Sequence, residues 1–177
     1  MFDKAGNIKI VDFGLAKRHI GPDGEVYPQR SKANEYFLGT ALYAPVAAHL
    51  GYDICRRDDL WSVLFMLVEL ATGRLPWSDL DDDDLDLIEL AKYKFMANAK
   101  LPSVFQRFKD HLMSLRYEDR PDYDHLVWLL QSHLEALGGS EDDAFDWKQP
   151  RRTWMTKLKD GILRFLNVLG LWKNRGN

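Results

Sequence analysis

The first place where side-chain type and spacing suggest chemistry is Asp12-Phe13-Gly14, directly behind the apolar run Ile8-Lys9-Ile10-Val11. Taken alone, a surface turn carrying an aspartate accounts for this tripeptide as well as a metal-holding carboxylate does. Four further signals follow in order. Gly39-Thr40 stands downstream, and Arg57-Asp58-Asp59-Leu60-Trp61-Ser62 opens an apolar stretch. Leu75-Pro76-Trp77 follows that stretch, and Arg120-Pro121 precedes the last apolar periodicity. It is their order and intervals together that carry information.

The elements that must position these residues are mostly helical. Gly6-Asn7 is a turn dipeptide with Phe2 before it and Ile8–Val11 after it, so a short hairpin is expected at the N-terminus. Residues 18–40 lack periodicity and read as a long loop. A helix is expected over 57–72, capped by Asp58 and ended by Gly73, and apolar nearly all round, hence central and buried. Further helices are expected over about 83–95 and 103–115, the second starting near Pro102, and from Pro121 to about Leu137. The expected architecture is mainly α: a short β element followed by a helical bundle.

Composition fits one globular domain. The 177 residues are 46% hydrophobic, 12% aromatic and 29% charged. The net charge of -3 gives no reason to expect a nucleic-acid partner. The single cysteine, Cys55, excludes an internal disulfide and a cysteine-rich zinc site, and suits a reducing compartment. No signal-peptide pattern opens the chain and no apolar run approaches the ~20 residues of a membrane span. A cytoplasmic or nuclear, non-secreted protein is therefore expected. Charge is uneven: Asp81–Asp84 form an acidic run, and the stretch from Lys148 onward is basic.

In these motifs the chain resembles a protein kinase catalytic domain, from the magnesium-binding loop to the end of the C-terminal lobe. More narrowly it resembles the casein kinase I group, nearest the tau-tubulin kinase branch. The residues carrying this are Arg57–Ser62, Met66-Leu67-Val68-Glu69, Gly73–Trp77, Pro121-Asp122-Tyr123 and Ala144-Phe145-Asp146-Trp147. The resemblance covers about residues 1–148 and implies a kinase C-lobe helical bundle with a β-hairpin remnant over 1–138. Within it, an activation segment would run from about 12 to 48. An acidic linker (139–150) and a basic amphipathic tail (151–177) would follow.

The resemblance assigns roles. Asp12 would hold magnesium, Gly14 would allow the turn that aims it, and Phe13 would pack behind it. Gly39 and Thr40 would lie in the substrate-facing end of the activation segment. Asp59 would be a buried carboxylate at the start of the central helix, and a second helix cap is its plainer reading. Arg120 has a glutamate partner in such kinases, but Ala47 stands at that position here, which leaves Arg120 solvated.

Several parts of a working kinase are not in the sequence. There is no Gly-x-Gly-x-x-Gly and no His-Arg-Asp: four histidines precede leucine and His19 precedes isoleucine. The resemblance places Met1 just after the catalytic asparagine. The expectation is a partial Ser/Thr kinase domain without a base aspartate. It would be inactive by itself and marginal in stability, while ATP and magnesium serve an intact parent. The alternative is a stand-alone, non-catalytic interaction module, a pseudokinase-like lobe.

Two departures bear on specificity. The basic anion-binding positions of casein kinase I-like enzymes fall at Leu42 and Asp81, so the parent should not favour acidic or phospho-primed protein substrates. In the tail, Leu158, Ile162, Phe165, Leu169 and Trp172 recur at helical spacing. Docking on the lobe, an anionic membrane surface and a calmodulin-like groove are three open readings of that pattern.

Overall fold

The computed structural model describes residues 9–31, 37, 39–140 and 161–162 of the 177-residue chain. Five helices with element bounds lie among them: α1 (Val46–His49), α2 (Arg56–Thr72), α3 (Leu85–Asn98), α4 (Ser103–Ser114) and α5 (Tyr123–Ala136). The expected helices are thus found as α2 to α5, with ends displaced by up to three residues. The short α1 carries too few residues for its periodicity to be read. Strand structure among the described residues is limited to two isolated bridges, Ile20 to Val26 and Ser31 to Tyr52. Of the expected hairpin, Gly6-Asn7 lies outside the described residues, and Lys9–Val11 form no strand.

The centre is α2. Leu60, Trp61, Leu64, Phe65, Leu67, Val68 and Ala71 are all buried, which spreads the apolar surface around most of the helix. Its start differs from the expected one. Cys55 is the N-cap residue, and Asp58 sits three residues in, accepting a hydrogen bond from the Cys55 amide at 2.8 Å. This is the back-bonding half of a capping box. It explains why Asp58 reads as a cap while Arg56 and Arg57 already belong to the helix. Gly73 ends α2 as expected, at φ 88°, with its amide on Glu69 O at 2.7 Å.

After Gly73 the chain turns sharply. Leu75 N donates to Ser78 Oγ at 2.8 Å, and the turn drives Leu75 and Trp77 into the core. There Phe65, Trp77 and Phe95 meet edge to face, with centroids 5.0–5.8 Å apart, joining α2, the turn and α3. On the other side α4 packs on α2 and α5 on α4. Asp122 caps α5 by accepting from His125 N at 2.9 Å, so Pro121 precedes the helix and does not open it.

Most of the tail lies outside the described residues. Its described pair, Gly161-Ile162, is helical, and Ile162 is fully buried in the main core. A Cβ on Gly161 would stand 3.2 Å from Leu70 Cβ, so that glycine permits a close approach to α2.

Candidate functional site

A closely tied local structure among the described residues is the turn Thr40–Ala44. Thr40 O accepts from Tyr43 N (3.2 Å) and Ala44 N (3.1 Å), which closes the turn. Outside groups then hold it. Lys92 of α3 donates to Ala41 O at 2.5 Å and to Ala44 O at 2.6 Å. Trp77 Nε1 donates to Leu42 O at 2.8 Å. The Tyr43 hydroxyl donates to Glu69 of α2 at 2.5 Å. Gly39 precedes the turn at φ 115°, a conformation that favours glycine, and Gly39 and Thr40 are exposed. The turn is held from α2, α3 and the Trp77 turn, with Gly39 and Thr40 exposed at its start.

Lys92 is the residue the sequence reading missed. It is fully buried, and its ammonium lies 5.5 Å from the ring centroids of both Phe65 and Trp77. Burial pushes its pKa down to about 7. His49 Nε2 lies 2.9 Å away, and burial first, then the Lys92 charge, push that imidazole down to about 4. A signal was present in the sequence: Lys92 shares the helical phase of Ile88 and Phe95, both buried.

Asp12, Phe13 and Gly14 lie together but apart from any core. Asp12 is exposed, with φ 63°, and its Oδ1 accepts from Gly14 N at 3.2 Å. Phe13, expected to pack behind Asp12, is 70% exposed. A single exposed carboxylate suits magnesium in kind, since that ion takes one or two carboxylates with phosphate and water oxygens. No group of three or more His, Cys, Asp or Glu able to hold a metal occurs among the described residues.

The buried carboxylate at the start of α2 is Asp58, at 3% exposure, and not Asp59, which is exposed. The physical reason is the back-bond to Cys55, which turns Asp58 inward. Although Asp59 opens to solvent, the surrounding protein and then the neighbouring Asp58 raise its pKa above the ordinary value. Arg120 is exposed, with no ion pair among the described residues. Leu42 packs half-buried against the core, while Asp81 is exposed and accepts from Asp83 N at 3.3 Å.

No family model matches the chain. A curated protein from Dictyostelium discoideum, named as a probable serine/threonine-protein kinase, is 46% identical over 140 residues. That alignment takes in 78% of this chain and 28% of the relative, so the chain spans well under a third of the length of the protein it matches.

Proposed function

This chain carries a protein-kinase-like region, and from that premise we propose that it is the peptide-facing lobe of a casein kinase I-like Ser/Thr kinase, nearest the tau-tubulin kinase branch. The observation that carries the reading is the turn Thr40–Ala44, anchored from α3, the Trp77 turn and α2 while Gly39 and Thr40 stay exposed. Such a turn holds a substrate backbone near a fixed site, and positioning is a main part of phosphoryl transfer.

In the whole protein, ATP with magnesium would supply the phosphoryl group, and Asp12 would hold the metal. The 177 residues contain no phosphate-binding glycine loop and no His-Arg-Asp. A cavity bordered by Lys17, Arg30 and Tyr117 does not include Asp12. The chain assayed by itself is therefore expected neither to bind ATP nor to transfer phosphate. Radiolabelled ATP with a mixed protein substrate checks this. Incorporation that the Asp12→Ala variant abolishes would sink the inactive reading.

Substrate preference follows from Leu42 and Asp81, which put an apolar and an anionic group where an anion-reading enzyme has cations. A peptide array with a full-length kinase carrying this lobe is expected to favour basic over acidic or phosphorylated peptides. A preference for phosphopeptides would exclude that assignment. For the tail, docking on the lobe is the reading with support, from buried Ile162 and the approach of Gly161 to Leu70. Among the described residues, no helix is long and apolar enough to cross a membrane.

A further inference from the structure

Two basic side chains of the segment after Gly14 converge on one acid. Lys17 Nζ lies 2.9 Å from Asp53 Oδ1, and Arg30 Nε lies 2.9 Å from Asp53 Oδ2. The main chain joins them: Asp53 N donates to Arg30 O at 2.9 Å, and Gln29 Nε2 donates to Asp53 O at 3.1 Å. Next to these, Ser31 bridges Tyr52. The burial is lopsided. The Asp53 side chain is 8% exposed, against 48% for Lys17 and 69% for Arg30. So the acid is the fixed point in the loop between α1 and α2, and the bases come to it.

A cavity of about 500 Å³ opens at the same place, bordered by Lys17, Arg18, Tyr27, Arg30, Asp53 and Tyr117. Burial alone would raise the Asp53 pKa, but the hydrogen bonds from Lys17 and Arg30 outweigh it and hold the carboxyl at about 2. Where a loop is ordered by phosphorylation, the added phosphate gathers basic side chains around itself. Here those side chains already share an anion.

We propose that Asp53 is the positioning residue for the segment Lys17–Ser31: its carboxylate is an anion built into the chain that bridges Lys17 and Arg30 and holds the segment on the lobe without an added phosphate. This goes beyond the kinase reading and stands whatever chemistry the lobe serves, because it rests on contacts within the segment and loop.

Amide hydrogen exchange on the 177-residue chain tests it without any activity assay. In Asp53→Ala, exchange over residues 17–31 is expected to speed up by about tenfold or more, while the interiors of α2 and α5 keep their wild-type protection. Asp53→Glu is expected to restore part of the protection. Millimolar inorganic phosphate is expected to restore part of it in Asp53→Ala and to leave the wild type unchanged, since an anion then refills the emptied space between the bases. Should Asp53→Ala not fold cooperatively, the Lys17→Met/Arg30→Met double variant removes the same bridge from exposed side chains and is expected to free the same segment. Exchange of the segment in the folded variant within a factor of about two of wild type would overturn the proposal. So would a loss of protection that neither glutamate nor phosphate repairs, because that loss would not be the loss of an anion.

Discussion

Trp77→Ala is expected to cost about 3–5 kcal/mol, the range for deleting a large buried aromatic side chain. The residue is 1% exposed and meets Phe65 and Phe95 edge to face, so its removal opens a void where α2, α3 and the Leu75–Ser78 turn join. It also strips Leu42 O of its indole donor and leaves the Lys92 ammonium with one ring instead of two. Single domains have about 5–15 kcal/mol in total, so the variant should lose a large share of its folded population. Trp128→Ala is the control. Trp128 is 52% exposed with Arg107 lying over it, and its loss should cost under ~1 kcal/mol. Urea unfolding followed by helical circular dichroism measures both. A Trp77→Ala midpoint as close to wild type as that of Trp128→Ala would mean that the aromatic junction does not hold the lobe together.

The second large effect is on pH dependence. The folded-state pKa of Lys92 is about 7 against an ordinary 10.5. Between those values the unfolded chain holds a proton on this amine that the folded chain has released, so stability rises with pH across the window. The slope is at most about 1.4 kcal/mol per pH unit, the value for one proton bound in the unfolded chain and released in the folded one. Cys55, pushed up to about 11 from 9.0 by burial first, opposes this only above pH 9. Tyr43, pushed up to about 12 by its hydrogen bond to Glu69, opposes it only above pH 10. Wild-type stability is therefore expected to increase by roughly 2 kcal/mol from pH 7 to pH 9, and Lys92→Met should flatten that rise. Equal slopes in the two proteins would show that Lys92 keeps its proton throughout.

How much was legible in the sequence depended on whether a residue's role is local. Helices α2 to α5 could be read because their apolar residues recur with the helical repeat, and Gly73 marks an end that its own backbone conformation requires. The cap of α2 was misread by three residues because Asp58 and Cys55 share the duty, and only the bond between them shows which is the cap. Lys92 was half legible, as a charge at a buried helical phase, but its acceptors lie about 50 residues away and periodicity cannot name them. Asp53 sits in an irregular loop and its partners in another, so no spacing rule points to it. The resemblance supplied Asp12 and the Gly39-Thr40 turn. It also gave Phe13 a packing role, and Phe13 is 70% exposed.

The turn Thr40–Ala44 is gripped largely by its carbonyl oxygens, since Lys92 and Trp77 between them hold the oxygens of Ala41, Leu42 and Ala44. A carbonyl is the same atom on every amino acid. Anchorage of this kind does not depend on which side chain the turn displays, except where that side chain is itself held, as at Ala41, Leu42 and Tyr43. Substitutions at exposed Thr40 can thus accumulate without loosening the turn, while Lys92 and Trp77 stay fixed. Such a lobe can diverge in what it recognises while keeping one scaffold. Across descendants of this sequence, variation should gather at position 40 and be scarce at 77 and 92.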